Sequence, residues 1–568
     1  MTNRLWAIAS EHRRPLIAGT LLQALQSYVG MMTIIYFQRI IDTLSDIDGN
    51  GLGPALGIFI SLTALNHLLI YGQGYPQRIF KTASYLSVKR LAIRKLAKID
   101  YQAYAGLDTG TTLQVVENGA TSGSSILSDF WLFVVITALT LPIKLYLIQM
   151  YDFALLLVVM GGYGALFAVA QLLMKISRAT MEKVVSRKEE LSSRFARGFM
   201  EMVNLRIQRQ FPAEISRVDS LSKDVAKSEG RIRLVNELFF TGFALLVFTV
   251  EVIVIVRQAA LITKGESTVG ILVALVMFVR SVFAPVSGFS FAFVMYKMNK
   301  IPWRRFEEFL EKPDDLYLKH RKDAPAVIGG NLSLHSVSFR YADRLILNDI
   351  SLVIEAGQHT AIVGSSGAGK TTILRLLLGL LKPKEGHVGI GEHDLSRIDL
   401  NRYYETIAFV SQDAPVIEGT LRENLTEGRV VSEDGIWAAL KVTRLVAFVK
   451  ELENGLETRA GERGISLSSG ERQRIALARA LLSPAPLIFL DEPASALDSE
   501  TAVAVMKGVF TFMKNRTVVM VAHRLQPVRL CDNIIVVENG EVIQKGAFTD
   551  LLENAGRFRE LWDEQTRD

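Results

Sequence analysis

Six long apolar segments constrain the fold of this chain more than any other feature. A helix of about 20 apolar residues crosses the hydrocarbon core of a bilayer. Two of the segments, 16–37 and 153–174, contain no charged residue, which argues against buried helices of a large soluble protein. The sequence therefore predicts a polytopic α-helical membrane domain over residues 1–310. Its six transmembrane helices are predicted at 16–37, 52–71, 127–150, 153–174, 238–256 and 269–296.

The loops between these segments differ in length and charge. Residues 76–126 carry seven Lys or Arg against three Asp or Glu, and residues 175–237 carry fourteen against nine. Residues 42–51 hold three Asp and no basic residue. Cytoplasmic loops are enriched in Lys and Arg. We therefore predict that the two long loops and both termini are cytoplasmic, and that the charged amphipathic loops continue the helices beyond the membrane.

Composition changes after the last apolar segment. Residues 311–326 are polar and contain two prolines, which predicts a linker, and residues 327–568 have the composition of a soluble α/β domain. The net charge of +6 is explained by the basic loops, so no nucleic-acid partner is expected. The single Cys531 excludes an intrachain disulfide.

A strand, a glycine-rich loop and a helix follow one another in residues 359–381, HTAIVGSSGAGKTTILRLLLGLL. This order is typical of a phosphate-binding loop, in which glycines let backbone N–H groups surround phosphates. Lys370 would reach the terminal phosphates, and the Thr371 hydroxyl would bind Mg²⁺. The predicted ATP-binding residues of the loop are Gly364, Ser365, Ser366, Gly367, Ala368, Gly369, Lys370, Thr371 and Thr372.

An acid pair ends the apolar strand LIFLDEP at 487–493. Phosphoryl transfer requires charge neutralisation and an aligned nucleophile. Asp491 is suited to hold Mg²⁺, and Glu492 to orient and activate the attacking water. An acid pair at a strand end is weak evidence by itself, but it is strong beside a phosphate-binding loop.

The segment between these motifs, SLSSGERQRIALARALL at 466–482, resembles the signature sequence of ABC ATPases, and the order of motifs matches that family over residues 330–560. The resemblance implies an α/β P-loop ATPase domain that binds ATP and Mg²⁺. It assigns Tyr341 to adenine stacking, Gln412 to Mg²⁺ and water, and His523 to the γ-phosphate. The predicted signature residues, which would act on the ATP of a partner chain, are Leu467, Ser468, Ser469, Gly470 and Glu471, and the segment facing the partner's site comprises Ser495, Ala496, Leu497 and Asp498.

The resemblance also implies the overall architecture. Six apolar segments before one ATPase domain, together with TRAGERG at 458–464, are similar to ABC half-transporters of the exporter fold. In that fold short coupling helices end the long cytoplasmic loops, and we expect them near 101–111 and 204–212. One chain carries one phosphate-binding loop and one signature, so a second half-transporter chain is expected to complete each ATP site. Ser469 and Glu471 depart from the usual glycine and glutamine. Because Glu492 and His523 are intact and the signature is only mildly altered, a homodimer is favoured, and a heterodimer remains the alternative.

Charged residues inside the apolar segments bear on the cargo, because such charges usually face a cavity or a bundle interior. Glu251 and Arg280 lie deep and are candidates for a cargo or gating role, or for a structural ion pair. Arg39 and Lys144 lie nearer the segment ends and are expected to reach the interface. The family resemblance predicts export or flipping of an amphipathic, lipid-linked or peptide-like cargo across a bacterial inner or plasma membrane. Import of a siderophore-like cargo and an ATP-gated channel or regulator are the alternatives.

Overall fold

The computed structural model describes residues 2–45, 51–318, 329–461 and 464–566. Contacts divide the chain into two compact units. The first comprises Met1–Ala97 and Gly106–Lys312, and the second comprises Lys98–Ala105 and Pro313–Asp568. A short segment from the first long loop therefore belongs to the second unit.

The first unit is built of helices. Beyond the ends of the predicted spans, the long helices continue by several turns, as the charged amphipathic loops indicate. The helices are α1 (Thr2–Glu11), α2 (Arg13–Ser45), α3 (Leu52–Leu96), α5 (Thr109–Ser125), a π-helical turn (Ile126–Trp131), α6 (Leu132–Tyr151), α7 (Phe153–Met200), α8 (Met202–Ile207), α9 (Phe211–Thr263) and α10 (Val269–Leu310), with α4 (Tyr101–Ala105) in the second unit.

Each predicted span lies within this helical framework. By length and composition, three of the described helical stretches are apolar enough to cross a membrane: Leu52–Leu96, Thr109–Tyr151 and Phe211–Thr263. Shorter apolar helices are found at Phe153–Leu166 and Val269–Pro285.

Side chains of helix α10 belong to two apolar clusters in the first unit. In one cluster, Phe278 and Phe283 are buried among side chains of α2, α6, α7 and α9. In the other cluster, Trp303 packs directly on Gly123 of α5. A Cβ atom at Gly123 would lie 2.5 Å from Cζ3 of Trp303, so this crossing requires glycine.

The second unit contains a four-stranded antiparallel sheet and a six-stranded, mainly parallel sheet. Their strand orders are β2-β1-β4-β5 and β12-β11-β3-β10-β9-β6, and β7 pairs with β8. The strands are β1 (Leu332–Tyr341), β2 (Arg344–Ile354), β3 (His359–Val363), β4 (Glu385–Ile390), β5 (His393–Asp394), β6 (Ile407–Val410), β7 (Gly419–Thr420), β8 (Arg459–Ala460), β9 (Leu487–Asp491), β10 (Thr517–Val521), β11 (Asn533–Glu538) and β12 (Glu541–Gly546).

Every residue of the central strands β3, β9 and β10 is buried. Parallel strands covered on both faces have continuous apolar sequences, as in LIFLD and TVVMV. The carboxyl ends of these strands therefore place their following loops at one edge of the sheet. The helices of this unit are α11 (Lys370–Leu377), α12 (Leu400–Glu405), α13 (Leu421–Thr426), α14 (Glu433–Val442), α15 (Val446–Glu451), α16 (Ser469–Leu482), α17 (Ser499–Phe512), α18 (Phe548–Glu553) and α19 (Arg557–Thr566).

Lys382 fastens the segment 98–105 to the second unit. Its Nζ lies 2.8 Å from Oδ2 of Asp100 and 2.7 Å from Oδ1 of Asp315. The backbone adds two hydrogen bonds, from the Asp100 N–H to the Pro313 oxygen at 3.0 Å and from the Asp315 N–H to the Lys98 oxygen at 2.7 Å. Burial opposes charge on Asp100 and Lys382, but the ion pairs prevail: the pKa of Asp100 is lowered and that of Lys382 is raised.

Candidate functional site

The glycine-rich loop connects buried strand β3 to helix α11. Gly364 has φ of 152°, and a Cβ there would lie 2.0 Å from the backbone oxygen of Val537. Gly369 has φ of 104° and caps the N-terminus of α11. These positions accept only glycine, so the sequence folds the loop tightly enough to expose its backbone to a ligand.

Lys370 begins α11 and is turned back over the loop. Its Nζ donates to the backbone oxygens of Gly364 and Ser365 at 2.9 and 2.8 Å. Burial lowers the pKa of Lys370, although Glu492 and Asp491 act in the opposite direction. A phosphate would supply the anionic partner that favours the charged form of this lysine.

Glu492 follows strand β9, and its carboxylate contacts two polar side chains. Its Oε2 accepts from Nε2 of Gln412 at 3.0 Å, and its Oε1 lies 3.2 Å from Nε2 of His523. Glu492 has φ of 52°, a left-handed conformation that is uncommon for a residue other than glycine. The structure thus brings together all three predicted catalytic side chains, which are separated by up to 111 positions in the sequence.

Asp491 is suited to a cation. It is 8% exposed, and its Oδ1 is buried without a hydrogen-bond partner. Burial raises the pKa of Asp491, and the neighbouring Glu492 raises it further. Mg²⁺ prefers oxygen ligands and would reverse this effect. The unsatisfied Asp491 carboxylate fits this ion, and the Thr371 hydroxyl and the Gln412 amide oxygen are the further oxygen donors that the sequence analysis predicts for it.

The signature segment forms the N-terminus of α16. Ser468 is the N-cap residue, and its hydroxyl accepts from the Glu471 N–H at 3.2 Å. The Glu471 carboxylate accepts from the Ser468 N–H at 2.8 Å and completes a capping box. Glu471 therefore forms the N-terminal cap that a glutamine at this position could also form. The side chain of Ser469 is exposed, whereas Leu467 is buried.

Gln473 is a residue that the sequence analysis missed. It is 1% exposed in α16, and its Nε2 donates to the Glu492 backbone oxygen at 2.8 Å and to Ser495 Oγ at 3.0 Å. Its Oε1 accepts from the Ala496 N–H at 3.0 Å. Gln473 thus fixes the backbone between the catalytic glutamate and the segment Ser495–Asp498. A lone buried glutamine within a helix gives no signal in sequence that would distinguish it from a surface residue.

The remaining predicted site residues occupy well-defined positions. Asp498 is the N-cap of α17 and accepts from the Thr501 N–H at 2.9 Å, while Leu497 is buried. The ring of Tyr341 lies edge-on to Phe339, with centroids 4.9 Å apart, and its hydroxyl is buried without a partner. Among the described residues, no hydrogen bond joins the signature to the glycine-rich loop. The loop residues Ser365, Ser366, Gly367 and Ala368 lie between β3 and α11, and Thr371 and Thr372 lie in the first turn of α11.

Two short helices are present where coupling helices are expected, α4 at Tyr101–Ala105 and α8 at Met202–Ile207. Of the segment 458–464, Arg459–Ala460 forms strand β8, whereas Glu462 and Arg463 lie outside the described residues.

The charged groups of the first unit are also placed. Glu251 and Arg280 form an ion pair, with 2.6 Å between Oε1 and Nε. Arg39 stacks over Tyr36 at 5.1 Å. The Lys144 Nζ donates to the backbone oxygen of Ser281 at 2.9 Å, a contact that the sequence analysis did not predict.

Comparison with known proteins agrees with both units. Residues 16–286 match the family model of the ABC transporter transmembrane region, and residues 347–495 match the family model described as ABC transporter. A mycobactin import ATP-binding/permease protein of Mycolicibacterium smegmatis is 32% identical over 71% of this chain and 71% of its own length. A mitochondrial iron-sulfur clusters transporter of Chaetomium globosum is 27% identical over 93% of this chain and 90% of its own.

The fold is shared with a solved structure, a bacterial Atm1-family ABC exporter with ATP bound. The TM-score is 0.85 at 24% identity, with 98% of this chain and 100% of that chain covered. Among three curated relatives, the matched region spans between 60% and 71% of their own length.

Proposed function

Because this chain belongs to the ABC transporter family and carries a transmembrane region and an ATPase region on one polypeptide, we propose that two copies of it form one ATP-driven pump. ATP hydrolysis by the second unit drives the transport of a cargo across the membrane. The observation that carries the proposal is the position of Glu492 between Gln412 and His523. A transporter that had lost hydrolysis would not need this arrangement.

We assign the chemistry as follows. Glu492 orients and activates water, and His523 donates to the γ-phosphate oxygens. Mg²⁺, held by Thr371, Gln412 and Asp491, would neutralise charge on the phosphates. The loop Gly364–Thr372 cradles the phosphates, and the ring of Tyr341 stacks on the adenine.

The dimer is proposed because the chain carries one glycine-rich loop and one signature, and in the family an ATP lies between the loop of one chain and the signature of another. The signature residues Leu467–Glu471 would close over the ATP held by the loop of the other chain, with Ser495–Asp498 beside it. The N-terminus of α16 offers backbone N–H groups and the positive end of the helix dipole to the phosphates of that ATP. We favour a homodimer, because Glu492 and His523 are both retained and Glu471 has a structural role as a helix cap.

The cargo, direction and membrane are proposed from the whole chain. We propose outward movement of an amphipathic, lipid-linked or peptide-like compound across a bacterial inner or plasma membrane. The basic loops 76–126 and 175–237 would face the cytoplasm with both termini and the ATPase unit. Import is the second candidate. The observation that supports it is the 32% identity to a mycobactin import protein.

ATPase measurement on the chain purified alone in lipid nanodiscs tests the central proposal. Wild type is expected to hydrolyse ATP, and Glu492→Gln to lose at least about 100-fold in rate while still binding ATP, since one placed catalytic base contributes about 10²–10⁴-fold. Glu451→Gln, at an exposed position at the end of α15, serves as the matched control. A well-folded wild type without activity would contradict the homodimer and point to a missing partner chain.

Trans-complementation tests the dimer directly. Lys370→Ala and Ser468→Arg chains should each be inactive alone. Mixed dimers should regain activity, because one of their two sites pairs an intact loop with an intact signature. No recovery in the mixture would contradict sites shared between chains. Uptake of cargo into inverted vesicles would then support export, and uptake into right-side-out vesicles would support import.

A further inference from the structure

Arg280 lies in the first unit with most of its charged group uncovered. Its Nε and Nη2 donate to Oε1 and Oε2 of Glu251 at 2.6 and 3.2 Å. The side chain of Glu251 is 10% exposed, whereas that of Arg280 is 70% exposed. A guanidinium has five N–H donors, so the ion pair leaves more than half of them for another acceptor.

Lys144 brings a second positive charge beside it. The Lys144 Nζ donates to the Ser281 oxygen, the residue after Arg280. That oxygen has no helical partner, because Pro285, four positions on, has no N–H. Among the described residues no carboxylate forms an ion pair with Lys144. Arg280, Lys144 and Glu251 taken together thus carry one more positive than negative charge.

The depth of Arg280 decides what can face it. At 1.5 Å per residue, Arg280 lies about 16 Å along α10 from Val269, close to half the thickness of a hydrocarbon core of about 30 Å. A charged group exposed to acyl chains at this depth is costly. Its exposed side therefore faces water or a bound molecule rather than lipid.

We propose that Arg280 and Lys144 form an anion-binding site for the cargo, so that the transported molecule carries a carboxylate, phosphate or sulfonate group on an apolar body. Glu251 holds the guanidinium in position and neutralises one of the two charges when the site is empty. The proposal rests on the proposed transport function and adds to it the charge of the cargo.

The local electrostatic potential can be measured without knowing the cargo. Ala284 is exposed one helical turn from Arg280, on the same face of α10. Full-length Ala284→Cys protein in phosphatidylcholine nanodiscs is reacted with two methanethiosulfonates, one bearing a sulfonate and the other a trimethylammonium group. Each reaction rate is divided by the rate of the same reagent with free mercaptoethanol. Cys531 is buried, so protein without the new cysteine gives the background.

We expect the normalised ratio of anionic to cationic reagent to exceed one. It should fall roughly 5-fold when Arg280→Gln is added, because the two reagents respond oppositely to the lost charge. Lys144→Gln should lower it as well. Arg304→Gln is the matched control, since Arg304 lies on the same helix, is 76% exposed and also pairs with a glutamate. No reaction with either reagent, or a ratio unaffected by Arg280→Gln, would overturn the proposal.

Pyrenebutyrate and its methyl ester share an apolar body, but only the acid carries a negative charge. The pair therefore tests whether the cargo must be anionic. Pyrenebutyrate should slow modification of Ala284→Cys at a concentration at least about 10-fold lower than the ester does, and Arg280→Gln should remove the difference. Equal protection by acid and ester would refute an anion site.

Replacing phosphatidylcholine by phosphatidylglycerol distinguishes the source of the anion: protection by the lipid assigns the site to a lipid headgroup, and protection by added acid alone assigns it to a soluble amphiphile. ATPase activity of wild type, lost in Glu492→Gln, is recorded on the same samples, so a failed proposal about the anion is separate from a failed transporter.

Discussion

Replacing Lys382 by methionine should loosen the attachment of segment 98–105 to the ATPase unit. The change leaves Asp100 and Asp315, whose side chains are 19% and 5% exposed, without their shared cation. Removing one partner of a buried ion pair costs about 3–5 kcal/mol. Because the Lys382 side chain is 26% exposed, we expect about 2–3 kcal/mol here.

Hydrogen exchange of the full-length protein in nanodiscs measures this cost. The amides of Asp100 and Asp315 donate across the attachment to Pro313 and Lys98, so their exchange reports its opening. A loss of 2–3 kcal/mol corresponds to exchange about 30- to 150-fold faster. Lys384→Met, at an exposed position two residues away, is the control. Unchanged exchange in Lys382→Met, or the same acceleration in Lys384→Met, would refute the reasoning.

The pH dependence gives a second check. The lowered pKa of Asp100 means that its contribution to stability is present above its unfolded pKa of about 4 and is lost as the pH falls through its lower folded value. The raised pKa of Lys382 means that its contribution is present below about 10.4 and is lost as the pH rises through the higher folded value. The difference between wild type and Lys382→Met should therefore be constant between about pH 6 and 9 and shrink in acid. A difference that grows in acid would contradict the ion pair as its cause.

Two further substitutions test packing. Gly123→Ala should destabilise the first unit by about 1–3 kcal/mol, since its Cβ would lie 2.5 Å from Trp303, whereas Gly161→Ala, with no atom within 4 Å of its Cβ, should be neutral in a thermal unfolding scan. Gly364→Ala should weaken ATP binding by at least about 10-fold in a nucleotide-binding assay, because the Val537 backbone oxygen cannot move away from a Cβ at 2.0 Å; unchanged affinity would show that the loop can relax.

The chemistry of the second unit was largely predictable from the sequence. The glycines and Lys370 of the phosphate-binding loop, and the acids after LIFLD, are contiguous motifs whose local conformation depends on neighbours in the chain. Apolar length predicted the membrane-spanning segments in the same way, since the length of a span depends only on the thickness of the hydrocarbon core and the helical rise per residue. The assignments of function to Glu492 and His523 remain proposals that the ATPase measurements test.

Other features were decided by the tertiary structure. They are the hydrogen bonds of the buried Gln473, the attachment of Lys98–Ala105 by Lys382, and the hydrogen bond from Lys144 to Ser281. Each of them joins residues that are separated in the sequence. The charge pattern alone did not predict the partner of Lys144, because it carried no information about the Ser281 carbonyl that Pro285 leaves without a helical partner on a neighbouring helix. Sequence thus determined which segments form helices, strands and phosphate-binding turns, whose energies are local. Which polar groups meet depended on how those segments pack, because a buried donor takes whichever unsatisfied acceptor the fold brings within reach.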